Sequence, residues 1–236
     1  MKRLVKLAVL ASVLLMLIVS CKTTNPSASF TDEQYDYVLH LVLDQAQEQA
    51  IADLFKHFNE FKEPMVPEQY SQIDELRGTA PGLDHLVRQW AESSSLAVLQ
   101  VFGSFSDYVD QLKGTIVFEN PRELLEAGDD SISSYYSSIL CDDITQAIFS
   151  SIRDMDYSLW IQCVVQYNAW ASTRSMLYNE SHDILDAETD TDKLATMFSQ
   201  HLASLFFEHV AAAESLIRTT PDPDMDNVQA QVLGLN

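Results

Sequence analysis

Three long stripes of apolar residues, each recurring close to once per helical turn, constrain this chain more than anything else in it. Tyr35, Leu39, Val42, Ala46, Ala50, Leu54, Phe58 and Phe61 form the first, at about 3.7 residues per step. Leu83, Val87, Trp90, Ser94, Ala97, Val101, Phe105, Tyr108 and Leu112 form the second. Leu194, Phe198, Leu202, Leu205, His209, Ala212 and Leu216 form the third. A strand needs alternation with a period of two, and no pair of alternating runs joined by a two-residue turn occurs. The expected class is therefore all-α, a single helical-bundle domain.

The punctuation between stripes agrees with that class. Thr31-Asp32-Glu33-Gln34 fits a capping box, with Phe30 and Tyr35 at the two positions of a hydrophobic staple, so the first helix is expected to start there. Pro64 and Pro67 end it, and Pro64 to Gly82 reads as a connector with room for one short helix around Glu68 to Leu76. Gly103 is a candidate kink in the second long helix. Asn120-Pro121 reads as a cap followed by proline at the first helical position, with Gly128 as the stop. Helices are expected over Ser131 to Leu140, Asp142 to Met155 and Tyr157 to Met176, parted at Cys141-Asp142 and at Asp156. The third stripe ends before Pro221.

Ahead of the domain stand Lys2, Arg3 and Lys6, then a run from Leu7 to Val19 that is apolar except for Ser12. This is the order of a secretory signal, and the run is too short for a membrane span. It closes on Ile18-Val19-Ser20-Cys21, which resembles the bacterial lipobox and makes Cys21 the expected lipidation site. The expected division is a cleaved signal over 1–20, lipidated Cys21 and a flexible tether over 21–30, a helical domain over 31–221, and a tail or short helix over 222–236. Lys22 to Ser29 has no large apolar residue and spans roughly 15 Å as a coil. Several acyl chains hold such a protein at a membrane where one alone is reversible. The implied location is the bacterial cell envelope, on the periplasmic side of the outer membrane or the cell surface. By resemblance to enteric lipoproteins, Lys22 in place of Asp permits outer-membrane sorting.

Charge then removes one class of partner. The chain carries 14 Lys plus Arg against 35 Asp plus Glu, a net charge of -21. Loss of the signal, with three cations and no acids, leaves -24. Phosphate backbones need clustered cations, so nucleic acid is not expected as a partner.

Few residues hint at chemistry, and each has a plainer explanation. His209 interrupts the apolar third stripe beside Glu208, which would suit a ligand or proton carrier, although a hydrogen-bonded imidazole at the core boundary accounts for it as well. Asp36 with His40, and Asp53 with His57, stand four apart, as pairs on a solvated helix face also do. Asp186, Glu188, Asp190 and Asp192 alternate like the early positions of a calcium loop, but Thr191 stands where its Gly belongs and Met197 where its bidentate Glu belongs. Asp222, Asp224 and Asp226 fail similarly, so no metal is expected. Cys141 and Cys163 would lie eight residues out of register across a hairpin about Asp156, about 12 Å at 1.5 Å per residue, and are expected as two free, buried thiols. No catalytic motif, phosphate loop or dinucleotide fingerprint occurs, and no cofactor is called for.

Val117-Phe118-Glu119, Leu124-Leu125, Gly128-Asp129-Asp130 and Tyr135-Tyr136 are followed by Tyr167-Asn168, Asp190-Thr191-Asp192-Lys193-Leu194, Phe206, Glu214-Ser215-Leu216-Ile217-Arg218 and Pro221. In this order they resemble the bacterial envelope proteins of Domain of Unknown Function family 4197, over roughly Val38 to Leu233. The chain departs from that family at Trp90-Ala91-Glu92-Ser93-Ser94, where the family tends to carry Asn-Arg-Ala-Ala-Glu, and in the length of the segment from Met176 to Glu188. The resemblance implies a helical, exported protein and supplies no activity. The expected function is a lipid-anchored, non-catalytic module that binds an envelope protein or a small ligand, with Trp90, Glu208 and His209 as weak candidates for contact. The alternative is a carrier of lipid or another apolar ligand, in which Trp90, Tyr108, Trp160, Trp170, Phe198 and Phe206 would line a cavity.

Overall fold

A computed structural model of the protein describes residues 30–60, 63–76 and 78–235, and all its regular structure is helical. The signal, Cys21 and the tether up to Ser29, together with Phe61 of the first stripe, lie outside the described residues. The helices are α1 (Asp32–Asn59), a 3-10 turn (Glu68–Tyr70), α2 (Ser71–Glu75), α3 (Pro81–Lys113), α4 (Pro121–Ala127), α5 (Ser131–Ile152), α6 (Ser158–Tyr178), α7 (Thr191–Thr219) and α8 (Asn227–Leu233). No helix among the described residues is long and apolar enough to cross a membrane.

One continuous core fills the bundle. The first stripe buries Leu39, Val42, Ala46, Ala50, Leu54 and Phe58, and α1 pairs most extensively with α7. Antiparallel packing is fixed by the register: His57 of α1 lies beside His209, whereas Gln45 and Gln49 share a groove with Leu216 and Ile217. Helix α5 also runs antiparallel to α7, from Ser133 beside Glu214 to Arg153 paired with Asp192. Helix α3 runs parallel to α7, with Trp90 against Phe198 and Phe105 against Phe206. Its far end reaches Asp44 of α1 through Lys113, at 2.7 Å.

Several local expectations need correction. Helix α5 runs without a break through Cys141-Asp142. Leu140 and Ile144 are both buried, four apart, while Cys141, Asp142 and Asp143 lie on the solvent face between them. Three polar residues in a row are therefore one helix's outer surface. Cys141 is exposed, not buried, and both Cys141 and Cys163 are free. Helix α3 carries Gly103 within it, as expected of one long helix. Asn120 precedes α4 but its side chain makes no capping bond there, so Pro121, with its preset φ, is the start signal that operates.

The connector is more than a spacer. Met65 is fully buried, and its carbonyl accepts a 2.7 Å hydrogen bond from Trp90 Nε1. At the other end of the sequence α8 is docked, with Gln229 buried and its Nε2 donating to Gln45 Oε1 of α1 at 2.8 Å. The last described segment is thus built onto the domain through the short helix Asn227–Leu233.

Candidate functional site

Trp90 belongs to the core. Its ring lies 5.2 Å from Phe198, 5.7 Å from Trp160 and 6.3 Å from Tyr157. Phe206 sits 5.3 Å from Phe105, which touches Tyr108 in turn, and Trp170 meets Tyr167 and His182. The six aromatics named for a ligand cavity pack on neighbouring aromatic rings, at distances typical of aromatic pairs.

His209 stands at the edge of the buried face of α7. That face runs Leu194, Phe198, Leu202, Phe206, Val210 and Ala213, so the sequence stripe drifts off it after Leu202, and Leu205, Ala212 and Leu216 are not buried. The His209 ring is 6.5 Å from that of His57. His201, two turns earlier on α7, joins the group. Burial pushes the His57 imidazole below its usual range; Glu63 opposes this and His209 adds to it. Burial lowers His201 too, with Glu208 and Glu68 opposing and His57 adding. The sequence offered His57 as the partner of Asp53, but the fold makes it the partner of His209. Asp53 instead accepts from Gln49 Nε2. His40 does reach Asp36, at 3.9 Å.

The acidic alternation after α6 is a capping and pairing device. Asp190 accepts from the backbone N–H groups of Asp192 and Lys193 and caps α7, while Asp192 pairs with Arg153 at 2.9 Å. Glu188 accepts from the N–H groups of Thr189 and Asp190 and pairs with Lys193 at 3.1 Å; these bonds hold its carboxyl below the usual range. Asp226 caps α8 in the same way. Among the described residues no group of three His, Cys, Asp or Glu side chains could hold a metal ion. Cys163 is buried, and desolvation pushes its thiol up to about 12, which leaves it protonated and unreactive at neutral pH.

Glu214, four residues before Arg218 on α7, is 1% exposed. Its carboxylate accepts from Ile132 N at 3.1 Å, Ser133 N at 2.7 Å, the Ser133 hydroxyl, and Arg218 Nη1 at 2.7 Å. Arg218 also donates to Ser131 Oγ and to the Leu125 carbonyl. One ion pair therefore satisfies the N-terminus of α5 and ties α4, α5 and α7 together.

Two surface features bear on contact with a partner. An open groove of about 570 Å³ lies between α1, the end of α7 and the 220–225 loop, lined in part by Gln45, Gln49, Leu216 and Met225. The second is the end of α6. Helix α6 runs antiparallel to α3, with Trp160 beside Trp90, and a Cβ at Gly82 would come within 3.1 Å of Gln166 Nε2. Gly82 is the second residue of α3, so Gln166 marks where α6 passes the end of its neighbour. The remaining turns to Tyr178 project roughly 18 Å further at 1.5 Å per residue. Beyond Ala171 no described residue of α6 is buried.

A strap, residues 179–190, turns at Asn179, whose left-handed φ of 56° ends the helix, and folds back along it. Arg174 makes a bidentate pair with Glu180, which holds that carboxyl below its usual range, and the His182 ring packs 4.6 Å from Trp170. The Asn168 amide exchanges two hydrogen bonds with the Leu185 backbone, and the Tyr70 hydroxyl donates to the Asp186 carbonyl at 2.9 Å. The result is a braced arm whose tip leaves Met176 79%, Leu177 63% and Tyr178 61% exposed, with Ile184 of the strap 61% exposed. Each ring of bonds that holds the strap uses a residue whose sequence context gave no sign of it.

No family model, no curated protein and no solved structure matches this chain.

Proposed function

We propose that the protein is a lipid-anchored, non-catalytic binding module of the bacterial envelope, related to the family it resembles, that engages a partner through the α6 arm. The observation that carries this reading is the arm's apolar tip. Met176, Leu177 and Tyr178 are largely exposed where they stand, and water contact with large apolar side chains is compensated when a partner covers them. The strap supports the same reading, because its bonds hold the tip rigid before any contact is made, which lowers the ordering cost of binding. The packed aromatics argue against the carrier alternative, since they meet each other where an apolar ligand would have to sit.

In vivo crosslinking tests the module. A photoreactive residue in place of Leu177 in the full-length chain is expected to capture a discrete protein that the same residue in place of exposed Leu96 does not capture. Indistinguishable adducts from the two positions would overturn the proposal. The anchor has its own test: Cys21→Ala should abolish fatty-acid labelling and membrane retention, and a variant that still fractionates with membranes contradicts lipidation at Cys21.

A further inference from the structure

We infer that the occupant of the α6 arm is a basic, apolar-faced partner protein rather than a second copy of this chain or the surface of an anionic bilayer. The inference rests on the binding-module reading and adds to it the chemistry of the partner. Charge is the first argument. The arm, the strap and the start of α7 carry Glu180, Asp183, Asp186 and Glu188 against Arg174, His182 and Lys193, with Glu180 and Asp183 nearest the tip in the chain and Asp186 and Glu188 farther back, at the level of Tyr70 and Lys193. Arg174 is engaged by Glu180, and Lys193 by Glu188. Glu180 also faces His182, and Asp183 beside it on the strap is exposed, on a chain whose net charge is already -21. A second copy would bring like charge to like, and an anionic lipid surface would do the same.

Position is the second argument. Helix α1 starts at the end of the bundle where Asp32 and Glu33 share a pocket with Pro121 and Arg122. Passing along α1 toward His57, one moves along α7 toward its start, then past the start of α3, and only then out along the arm. The arm tip and the residue at which the chain enters the domain therefore occupy opposite ends. The length of the bundle thus separates the tip from Asp32. The third argument is composition: Leu, Met and Tyr with an Arg stacked 4.4 Å from the Tyr178 ring centroid make a small anchor of the sort that fills a pocket, framed by charge that steers and orients.

The test uses the full-length protein in phosphatidylcholine nanodiscs, with empty discs as baseline, and three probes. The first is an amphipathic helical peptide of Leu and Lys, the second the same peptide with Glu for Lys, and the third a suspension of phosphatidylglycerol vesicles. The Leu/Lys peptide is expected to bind. Its affinity should fall about tenfold or more in Leu177→Ser/Tyr178→Ser, equivalent to about 1.4 kcal/mol or more, and stay unchanged in Leu96→Ser. It should also weaken as salt rises from about 0.1 to about 1 M, where the Debye length shrinks from about 10 to about 3 Å. Equal binding of the Lys and Glu peptides would overturn the basic-partner inference, and so would Lys-peptide binding indifferent to Leu177 and Tyr178. Recruitment of the vesicles through the tip, or concentration-dependent dimerisation abolished by Leu177→Ser/Tyr178→Ser, would overturn it in favour of lipid or a second copy. The crosslink at Leu177 separates the two levels: a discrete protein captured there, with no preference between the peptides, removes the charge inference and leaves the module standing. Absence of both removes both.

Discussion

Glu214 sits among apolar neighbours with its carboxylate on the first turn of α5, and its removal strands several groups at once. The N–H groups of Ile132 and Ser133 lose their acceptor, and Arg218, whose side chain is 7% exposed, loses its counter-ion. Breaking a buried pair from one side typically costs about 3–5 kcal/mol, a large part of the about 5–15 kcal/mol that holds a domain together. Glu214→Ala should lose that much in urea melts. Glu214→Gln, which keeps an acceptor oxygen and discards the charge, should fall between the variant and the parent. A change below about 0.5 kcal/mol for Glu214→Ala, the size expected of an exposed helix pair, would show that the carboxylate is solvated. Sequence spacing alone gives that exposed value, because Glu214 and Arg218 four apart look like any surface pair. What spacing cannot carry is the approach of Ser131–Ser133, more than 80 positions away, which turns the same pair into a buried helix cap.

Between elements, the α1–α7 seam holds three imidazoles. His57 and His201 both have lowered values, chiefly through burial, so the folded state favours their neutral forms while the unfolded chain takes up protons near 6.5. The unfolded state therefore binds more protons in the window below 6.5. Stability is fully present above it and is lost as pH falls through the lowered folded-state values. Thermal melts from pH 7.5 down to about pH 5 should show a decline that His57→Gln and His201→Gln each reduce. A slope identical in the parent and both variants would mean that these rings are not its source. The helices themselves were legible because their period is local, and α1 and α4 begin where the capping box and Pro121 place them. What misled was reading a run of polar residues as a break at Cys141-Asp142, and following one residue per turn along α7. A real helix face is wide enough that Ala195, Ala203 and Phe207 share burial with the stripe while Leu205 slips to its edge. The arm escaped notice for a different reason. Its helix ends in apolar residues like any other, and only the fold, in which the end of α3 lies beside Gln166, leaves them exposed among the described residues.

Over the whole molecule, the excess of 35 acids over 14 cations is a cost that the fold bears everywhere. Self-repulsion among fixed charges opposes the compact state, and mobile ions relieve it increasingly as ionic strength rises. The acidic runs that only partly match a calcium loop in sequence do other work: Asp190 and Asp226 cap helices, and Glu188 and Asp192 are paired with Lys193 and Arg153. A divalent ion would have to break those bonds before it could collect ligands, so its effect should come through screening. Sodium chloride should raise the melting temperature gradually, and calcium and magnesium at matched ionic strength should raise it by equal amounts. Binding to the folded state alone would instead stabilise as RT ln(1 + [L]/Kd), a saturable curve particular to one cation. If calcium gives that curve and magnesium does not, some carboxylates trade their helix caps for metal, and Asp190→Asn and Glu188→Gln should then abolish the calcium shift while costing little stability in its absence.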